Sequence, residues 1–384
     1  MNEDRAGRYH RLRRRAAAES AAWTASWLIA LLLTGWSRSL SEAAERMTAG
    51  LPAALRLPGA VIVWGLAVAA VHEAGRLPFA CYNGFILERR YGLSRQQAAA
   101  WLADHLKSGL VGLAFALAAS VWVAACLQRW PDGWWLPAWA GAAAAAVAAA
   151  WAAPVLLLPL FCALQPLRDE ALRRRLLALA ARAGVPAIDI VEWRLSGRSS
   201  RANAALVGLG RTRRIVVSDT LASGYRSEEV EAVVAHELAH RAHRDIWFAL
   251  GIDAAQTAAA LLASDAALRA AAGPLSLAGA PVAAGLPIVA LVSLAVGLLS
   301  APAAHALSRA RERRADRYAL DLTGNADAFA RAVRRLGAHN LAEEHPGPLA
   351  RAFFHTHPPV EERLAAARAW AAARGAGPAT GAGT

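Results

Sequence analysis

The chain contains the stretch Val233-Val234-Ala235-His236-Glu237-Leu238-Ala239-His240, from which the rest of the sequence can be interpreted. Ser227, interpreted as an N-cap, predicts that a helix begins shortly before this stretch. In a helix, His236 and His240 lie on one face one turn apart, so both imidazoles can reach one ion. Glu237 can then reach a water on that ion. The pattern is typical of zinc sites with a glutamate general base, the alternative being a solvated helix with incidental histidines.

Two histidines do not complete a catalytic zinc site, which usually has three protein ligands and one open position. Glu312 and Asp316 are four residues apart on one face of a predicted helix. Glu312 can bind the metal, and Asp316 can orient a ligand histidine. The alternative is a surface helix whose carboxylates pair with neighbouring arginines. His243, His305 and His357 are competing ligands that spacing alone does not exclude.

The composition indicates a membrane protein. Of 384 residues, 56% are hydrophobic, and the formal net charge is +13. The basic residues are spread along loops between apolar runs, which favours membrane topology over a nucleic-acid-binding face. Cys81, Cys126 and Cys162 form no close pair, so we expect buried free thiols and neither a disulfide framework nor zinc ligands. The arginine bias with almost no lysine suggests a bacterial source and hence the bacterial inner membrane.

Six apolar runs are each close to the roughly 20 residues that cross a bilayer. They lie at about 16–36, 58–74, 108–127, 136–161, 246–263 and 283–303. Pro154 and Pro159 are able to kink the end of the fourth. Asp253 and Gln256 interrupt the fifth, which suits either a water-filled interior or a polar contact between helices.

The arginines predict the orientation of these spans. With the N-terminus in the cytoplasm, the arginine-rich segments 75–107, 162–245 and the tail from 304 lie inside, and the segments 37–57, 128–135 and 264–282 lie outside. This agrees with the positive-inside rule. All the candidate chemistry then falls on the cytoplasmic side.

The cytoplasmic segments read as a small α+β unit followed by helices. We predict a helix at Asp169–Ala183 and strands at Ile188–Leu195, Asn203–Leu209 and Ile215–Ser218 before the zinc-motif helix. Helices are predicted at 305–322, 327–336 and 360–372. The fold class is therefore mainly α, a polytopic membrane protein of about six spans. Its expected divisions are 1–161, 162–245, 246–303, 304–374 and a disordered tail at 375–384.

Several motifs in this order resemble one family. The two-histidine motif with 308–316 is similar to the membrane zinc endopeptidases that include type I CAAX prenyl proteases and HtpX-like quality-control proteases. The stretch 198–204, ending in Asn203-Ala204, resembles the family's substrate strand, and 219–221 resembles its segment before the zinc helix. His357-Pro358-Pro359 with Arg363 resembles its C-terminal motif. Residues 78–92 resemble the N-terminal region of the prenyl-protease branch.

The resemblance implies a gluzincin-type protease domain with one zinc ion per chain. It implies that His236, His240 and Glu312 are ligands, that Glu237 is the general base, and that Asp316 supports a ligand. It further implies Asn203 and Ala204 at the substrate strand and His357 and Arg363 near the scissile carbonyl. Two departures stand out: Arg201 occupies a position where prenyl proteases often carry histidine, and six spans replace the seven that enclose a chamber in the eukaryotic prenyl protease.

The sequence thus predicts a membrane zinc endopeptidase of the prenyl-protease-like type, with peptide or membrane-protein substrates and the lipid bilayer as partners and no nucleic acid. One alternative is an HtpX-like protease that clears damaged membrane proteins. Another is a membrane scaffold without catalysis, against which the intact Glu237 argues.

Overall fold

In the computed structural model, residues 2–185 and 189–375 are described. The N-terminal part is helical throughout. Its elements are α1 (Asn2–Leu33), α2 (Trp36–Thr48), α3 (Ala53–Cys81), a π-helical turn (Tyr82–Ile86), α4 (Leu87–Arg90), α5 (Ala98–Arg129), α6 (Trp135–Leu156) and α7 (Leu158–Phe161). The helix of the fourth apolar run, α6, ends at Leu156, just after Pro154. The interruption predicted from the prolines at the end of this run is therefore present.

Six helical segments of the described chain are long and apolar enough to cross a membrane, which confirms the number of predicted spans. They are Arg5–Leu33, Ala53–Arg90, Ala98–Arg129, Trp135–Leu156, Asp245–Ala271 and Val282–Thr323. Large apolar side chains such as Leu110 and Leu299 are exposed on these helices. Such a surface is unfavourable in water and suits contact with lipid tails. The protein is therefore an integral membrane protein.

Helix α2 lies within the segment 37–57, for which only a loop between spans had been expected. It is too short to cross a bilayer and instead packs between α3 and the turn Val282–Gly285. The buried Ser37 hydroxyl donates a hydrogen bond to the carbonyl of Ala284 at 2.9 Å. A polar, thirteen-residue helix lacks the long apolar run by which spans are recognised.

The α+β unit contains a four-stranded sheet of β1 (Leu164–Pro166), β2 (Asp189–Trp193), β3 (Ala204–Val207) and β4 (Arg214–Ser218). Helix α8 (Glu170–Arg182) connects β1 to β2, and α9 (Asp219–Gly224) follows β4. The order is β1-β2-β4-β3, with β2 and β4 parallel and the other pairs antiparallel. Strand β3 therefore lies at one edge of the sheet and pairs only with β4. The predicted helix and three strands are present, and β1 was not predicted. Ile188, the first residue of the first predicted strand, which corresponds to β2, lies outside the described residues.

Four helices complete the protease part around the motif helix. The motif helix is α10 (Ser227–Ala242), and the four around it are α12 (Leu286–Thr323), α13 (Ala326–His339), α14 (Pro348–Phe354) and α15 (Val360–Gly375). The span α11 (Asp245–Ala271) lies between α10 and α12. Buried Leu176, Ile215, Val234, Leu238 and Phe329 join the sheet, α8, α10 and α13 in one apolar core. Burial of this core fixes α10 against both the sheet and α13.

Two sequence expectations need correction here. Ser227 is the first residue of α10, and Arg226 is its N-cap, whose backbone N–H donates to the Glu229 carboxylate at 3.0 Å. The sixth span and the helix predicted after it form the single helix α12, which is continuous through Pro302. Of the predicted tail 375–384, only Gly375, the last residue of α15, lies within the described residues.

Candidate functional site

The site is built where α10 meets the membrane-distal part of α12. His236 Nε2 lies 3.1 Å from one oxygen of Glu312, and His240 Nε2 lies 3.5 Å from the other. The two imidazole rings are 5.0 Å apart and nearly perpendicular. Within the described residues these three side chains form the one group of histidines, cysteines or carboxylates able to hold a metal ion together.

The spacing of these atoms suits zinc. Ligands about 2.1 Å from a tetrahedral ion lie about 3.4 Å from one another. The ligand atoms of His236, His240 and Glu312 all lie within 4.8 Å of one another, and the closest separations are near that ideal value. Two imidazole nitrogens and one carboxylate also form a donor set that zinc enzymes use while leaving a fourth position open. The residues present therefore fit the ion.

A buried carboxylate contacts the Nδ1 atom of each of the two motif histidines, His236 and His240. Asp316 Oδ1 lies 2.8 Å from His236 Nδ1, and Asp245 Oδ2 lies 2.9 Å from His240 Nδ1. Arg363 donates two hydrogen bonds to Asp316, at 2.8 and 2.6 Å, and Arg314 donates one to Asp245. A carboxylate on Nδ1 leaves Nε2 free to bind metal and fixes the ring orientation.

Asp245 is a residue that the sequence analysis missed. It follows a sharp turn at Arg244, whose φ of 57° lies in the left-handed region, so α10 ends and α11 begins in a new direction. Helical periodicity therefore gave no reason to place Asp245 beside His240. The available signal was an acidic residue directly after the motif helix, where a carboxylate can turn back to a ligand.

The competing histidines lie in other positions. His243 packs its ring edge-on against Tyr318, and His305 Nδ1 approaches the carbonyl of Ala352 at 3.2 Å. His357 Nδ1 lies 2.7 Å from Glu312 Oε2, and its side chain remains 62% exposed. His357 therefore borders the site from the cleft side, whereas His236 and His240 approach it from α10.

Hydrogen bonding changes the pKa of the first histidine. Burial by itself disfavours the charged imidazolium of His236, but hydrogen bonds to Asp316 and Glu312 outweigh it and raise the pKa to about 9. Without metal, His236 is therefore protonated on both ring nitrogens at neutral pH, and its two N–H groups face Asp316 and Glu312. Zinc binding has to displace that proton, since only the neutral ring can be a ligand.

The general-base candidate faces the edge strand. Glu237 Oε2 accepts a hydrogen bond of 3.4 Å from the backbone N–H of Leu206 in β3. Asn203, just before this strand, is fixed through its backbone N–H to the Ser218 hydroxyl and its carbonyl to the Ser218 N–H, both at 2.9 Å. The site thus brings Glu237, Asn203 and Ala204 to one cleft.

That cleft has a volume of about 280 Å³ and is lined by both polar and apolar groups. His236, Glu237, His357 and Arg363 line its polar side. Its apolar side consists of Val233, Phe329, Val333, Leu336 and Val360. The amide of Asn340, also unforeseen, bonds both the N–H and the carbonyl of Ala202, which extends the sheet edge at the cleft.

The membrane region contacts the segment before β3 through Arg201. Its Nη2 donates to the Tyr9 hydroxyl and to Glu88, both at 2.9 Å, and Tyr9 also donates to Glu88. Tyr9 is completely buried. The arginine that departs from the prenyl-protease pattern therefore links α1 and α4 to the residues that precede Asn203.

Comparison with known proteins agrees with this geometry. The family model described as Peptidase family M48 matches residues 166–371, and that described as the CAAX prenyl protease N-terminal region, with five membrane helices, matches residues 3–163. Within 3–163 the described structure has four candidate spans, and α2 accounts for a further, shorter helix.

Related sequences and a solved structure point the same way. An uncharacterized metalloprotease, YhfN, from Bacillus subtilis is 27% identical over 73% of this chain and 67% of its own length. A CAAX prenyl protease 1 homolog from Arabidopsis thaliana is 29% identical over 76% of this chain and 69% of its own length. The crystal structure of S. mikatae Ste24p superposes with a TM-score of 0.80, covering 95% of this chain and 88% of that one at 22% identity, which shows a shared fold.

Proposed function

Since the chain belongs to peptidase family M48 and is an integral-membrane zinc metalloprotease, we propose that its cleft cleaves extended peptide segments of membrane-attached proteins at the cytoplasmic surface. One observation carries this proposal. The His236, His240 and Glu312 cluster and the Glu237 carboxylate lie together beside an edge strand, above an apolar cleft.

We assign the zinc ion to His236, His240 and Glu312, with Asp316 and Asp245 orienting the two imidazoles. When bound, zinc supplies a Lewis acid that polarises the scissile carbonyl and makes water acidic enough to attack at neutral pH. Glu237 takes the proton from the attacking water and returns it to the leaving amine. Its hydrogen bond to Leu206 keeps the carboxylate between the motif helix and β3.

Substrate binding follows from the free edge of β3. An extended peptide can add to this edge through backbone hydrogen bonds at Ala204. The exposed side chain of Asn203 lies beside it, because the backbone groups of Asn203 already pair with Ser218. The apolar wall of Val233, Phe329 and Val333 then favours an apolar side chain beside the scissile bond. Backbone pairing supplies affinity, and this wall supplies selectivity.

His357 and Arg363 have different parts in this proposal. His357 is exposed to the cleft and can donate from its second nitrogen to the developing oxyanion. Arg363 directs Nε and Nη2 to Asp316, so we assign it to holding the carboxylate that orients His236.

The substrate class is proposed from the relatives. Several are CAAX prenyl protease 1 homologs, so we propose C-terminal peptides of CAAX type, attached to the membrane by a lipid, as substrates. The cytoplasmic orientation is supported by the arginines on the segments that carry the site, and the bacterial inner membrane by the composition.

The experiment compares purified wild type with Glu237→Gln on a prenylated peptide and on its unprenylated counterpart. Wild type is expected to contain about one zinc per chain and to cleave the prenylated peptide faster. Glu237→Gln should retain the zinc and lose about 100-fold or more of the cleavage rate. Equal rates for the two proteins would refute the catalytic assignment, and equal cleavage of the two peptides would refute the lipidated substrate alone.

A further inference from the structure

Three arginines line one small cavity beside the site. Arg213, Arg241 and Arg244 surround it together with His240 and Leu206. Within residues 2–185 and 189–375, none of the three guanidinium groups has a carboxylate within salt-bridge distance. By contrast, the neighbouring Arg214 faces Asp189 at 3.9 Å. The Nε of Arg241 is buried without a hydrogen-bond partner.

This arrangement is unfavourable without an anion. Three like charges at one cavity repel each other, and the partial burial of Arg213 and Arg241 weakens the screening by water, whereas Arg244 is exposed. Burial and the charge of Arg241 lower the pKa of Arg213. Arg244 also holds a left-handed backbone, φ 57°, where glycine would be easier to accommodate. A bound anion would relieve both the repulsion and the unsatisfied donors.

The cavity lies between the ends of two membrane spans. Ile246 and Trp247, in the first turn of α11, form part of its wall. The turn that carries Arg213 packs on the end of α6, because the Thr212 hydroxyl donates to the carbonyl of Trp151 at 2.9 Å. Trp151 and Trp247 are both exposed, as is usual for tryptophans at the membrane interface. The start of α11 adds the positive end of a helix dipole.

From these observations we infer that Arg213, Arg241 and Arg244 bind the phosphate of an anionic phospholipid at the α6–α11 junction. Arginine recognises phosphate through several parallel hydrogen bonds, and headgroup phosphates lie at the level where spans leave the hydrocarbon. His240 and Leu206 line the same cavity, so the bound lipid braces the motif helix and the substrate strand. This inference does not depend on which peptide is cleaved.

The test measures lipid retention by native mass spectrometry of the full chain taken from three bilayers. These are phosphatidylcholine alone, phosphatidylcholine with phosphatidylglycerol, and the same phosphatidylcholine–phosphatidylglycerol mixture with inorganic phosphate added. The variant R213Q/R241Q/R244Q removes the three charges. The matched control R89Q/R90Q/K107Q removes three exposed basic side chains at the ends of other spans. Zinc content and melting temperature in phosphatidylcholine establish that each variant is folded.

Wild type and the control should retain one phosphatidylglycerol, and the cavity variant should hold it at least about tenfold more weakly. Equal retention by all three proteins, or equal loss in the control, would overturn the inference. Displacement of the lipid by inorganic phosphate at the same concentration would show that the cavity binds free phosphate, and the assignment to a lipid headgroup would be wrong. If the cavity variant instead lost only cleavage of peptides with an acidic residue before the scissile bond, the arginines would serve the substrate and the lipid assignment would be wrong.

A single substitution separates binding from structure. Arg244→Gly removes the guanidinium group and relieves the left-handed backbone at the same time. We expect weaker lipid retention with an unchanged or higher melting temperature. Retention equal to wild type would overturn the role of Arg244, and a lower melting temperature with unchanged retention would assign it to structure.

Discussion

The membrane region and the protease region bury different kinds of polar group. In the first, the buried polar side chains are hydroxyls, Ser37, Ser41, Thr48 and Ser264. Ser37 and Ser264 each donate to one backbone carbonyl, Ser264 to that of Ala260 at 2.7 Å, and Thr48 donates to two. In the second, the buried polar side chains other than the Ser218 hydroxyl are acidic or basic, namely Glu192, Glu229, His236, Asp245, Arg309, Glu312 and Asp316. Burying charge is unfavourable unless it is paired, so its concentration around α10 and α12 marks the place where the fold serves chemistry.

The two regions therefore have different roles in the protein. The membrane helices fix the positions of α10 and α12 through apolar packing. Removing one of their buried hydroxyls is expected to change the free energy of unfolding little. The charged groups around the zinc cluster depend on one another, because each carboxylate is held by an arginine or a histidine.

Arg363→Ala should have the largest effect on stability. It leaves the buried Asp316 without its bidentate partner, and loss of one member of a buried ion pair typically destabilises by about 3–5 kcal/mol. The measurement is the free energy of unfolding of the detergent-solubilised protein. Arg374→Ala is the matched control on α15, because its pair with Asp321 is exposed and should contribute less than about 1 kcal/mol. Similar losses in both variants would contradict the contrast.

The pH dependence of the metal-free protein should reflect His236. Its pKa of about 9 in the folded state exceeds the ordinary value of 6.5. The stabilisation is therefore complete below pH 6.5 and is lost as the pH rises to 9, by on the order of 3 kcal/mol. Unfolding measured in a chelator across this range tests it, with His236→Gln as control. A flat profile, or the same profile in the variant, would contradict the assignment.

Asp245→Asn should weaken zinc binding. The asparagine can present its amide donor to His240 Nδ1 and disturb the ring orientation that frees Nε2 for metal. Changes to such partners typically lower metal affinity by about 10–100-fold. Competition with a zinc chelator measures the affinity, and Asp253→Asn, exposed on the same helix, is the control. An unchanged affinity would remove Asp245 from the site.

Ser264→Ala should have the smallest effect. The hydroxyl is fully buried, but its acceptor is a carbonyl of the same helix, so we expect a loss of no more than about 1 kcal/mol in the free energy of unfolding. Thr257→Ala is the control, because the Thr257 hydroxyl also donates to the carbonyl four residues earlier but is only half-buried. A loss as large as that of Arg363→Ala would show that the membrane region also depends on its polar groups.

The sequence predicted the parts of the fold and site that follow from short spacing. His236 and His240 follow from helical periodicity, and the six spans from apolar length. The shared helical face made Glu312 and Asp316 candidates, and the family resemblance selected them over surface ion pairs. Of the two alternatives for the fifth span, Gln256 forms a contact between helices, since its amide donates to the Ser300 hydroxyl at 2.7 Å.

The rest depends on geometry that spacing does not encode. Asp245 reaches His240 only because the chain reverses at Arg244. Arg201, in the loop before β3, reaches Glu88 although the two are more than a hundred residues apart in the sequence. Helix α12 continues through the change from apolar to polar composition, because that change marks an exit from the membrane and not the end of a helix. Tertiary contacts determine each of these features.

The central claim is that two helices joined by a membrane hairpin, α10 and α12, share one zinc ion through His236, His240 and Glu312. The most direct measurement is zinc per chain in Glu312→Ala beside Glu237→Gln, with metal buffered at a concentration that saturates wild type. The account predicts about one zinc in wild type and Glu237→Gln and strong loss in Glu312→Ala. Full zinc retention by Glu312→Ala would contradict it, because the third ligand would then have to be another group.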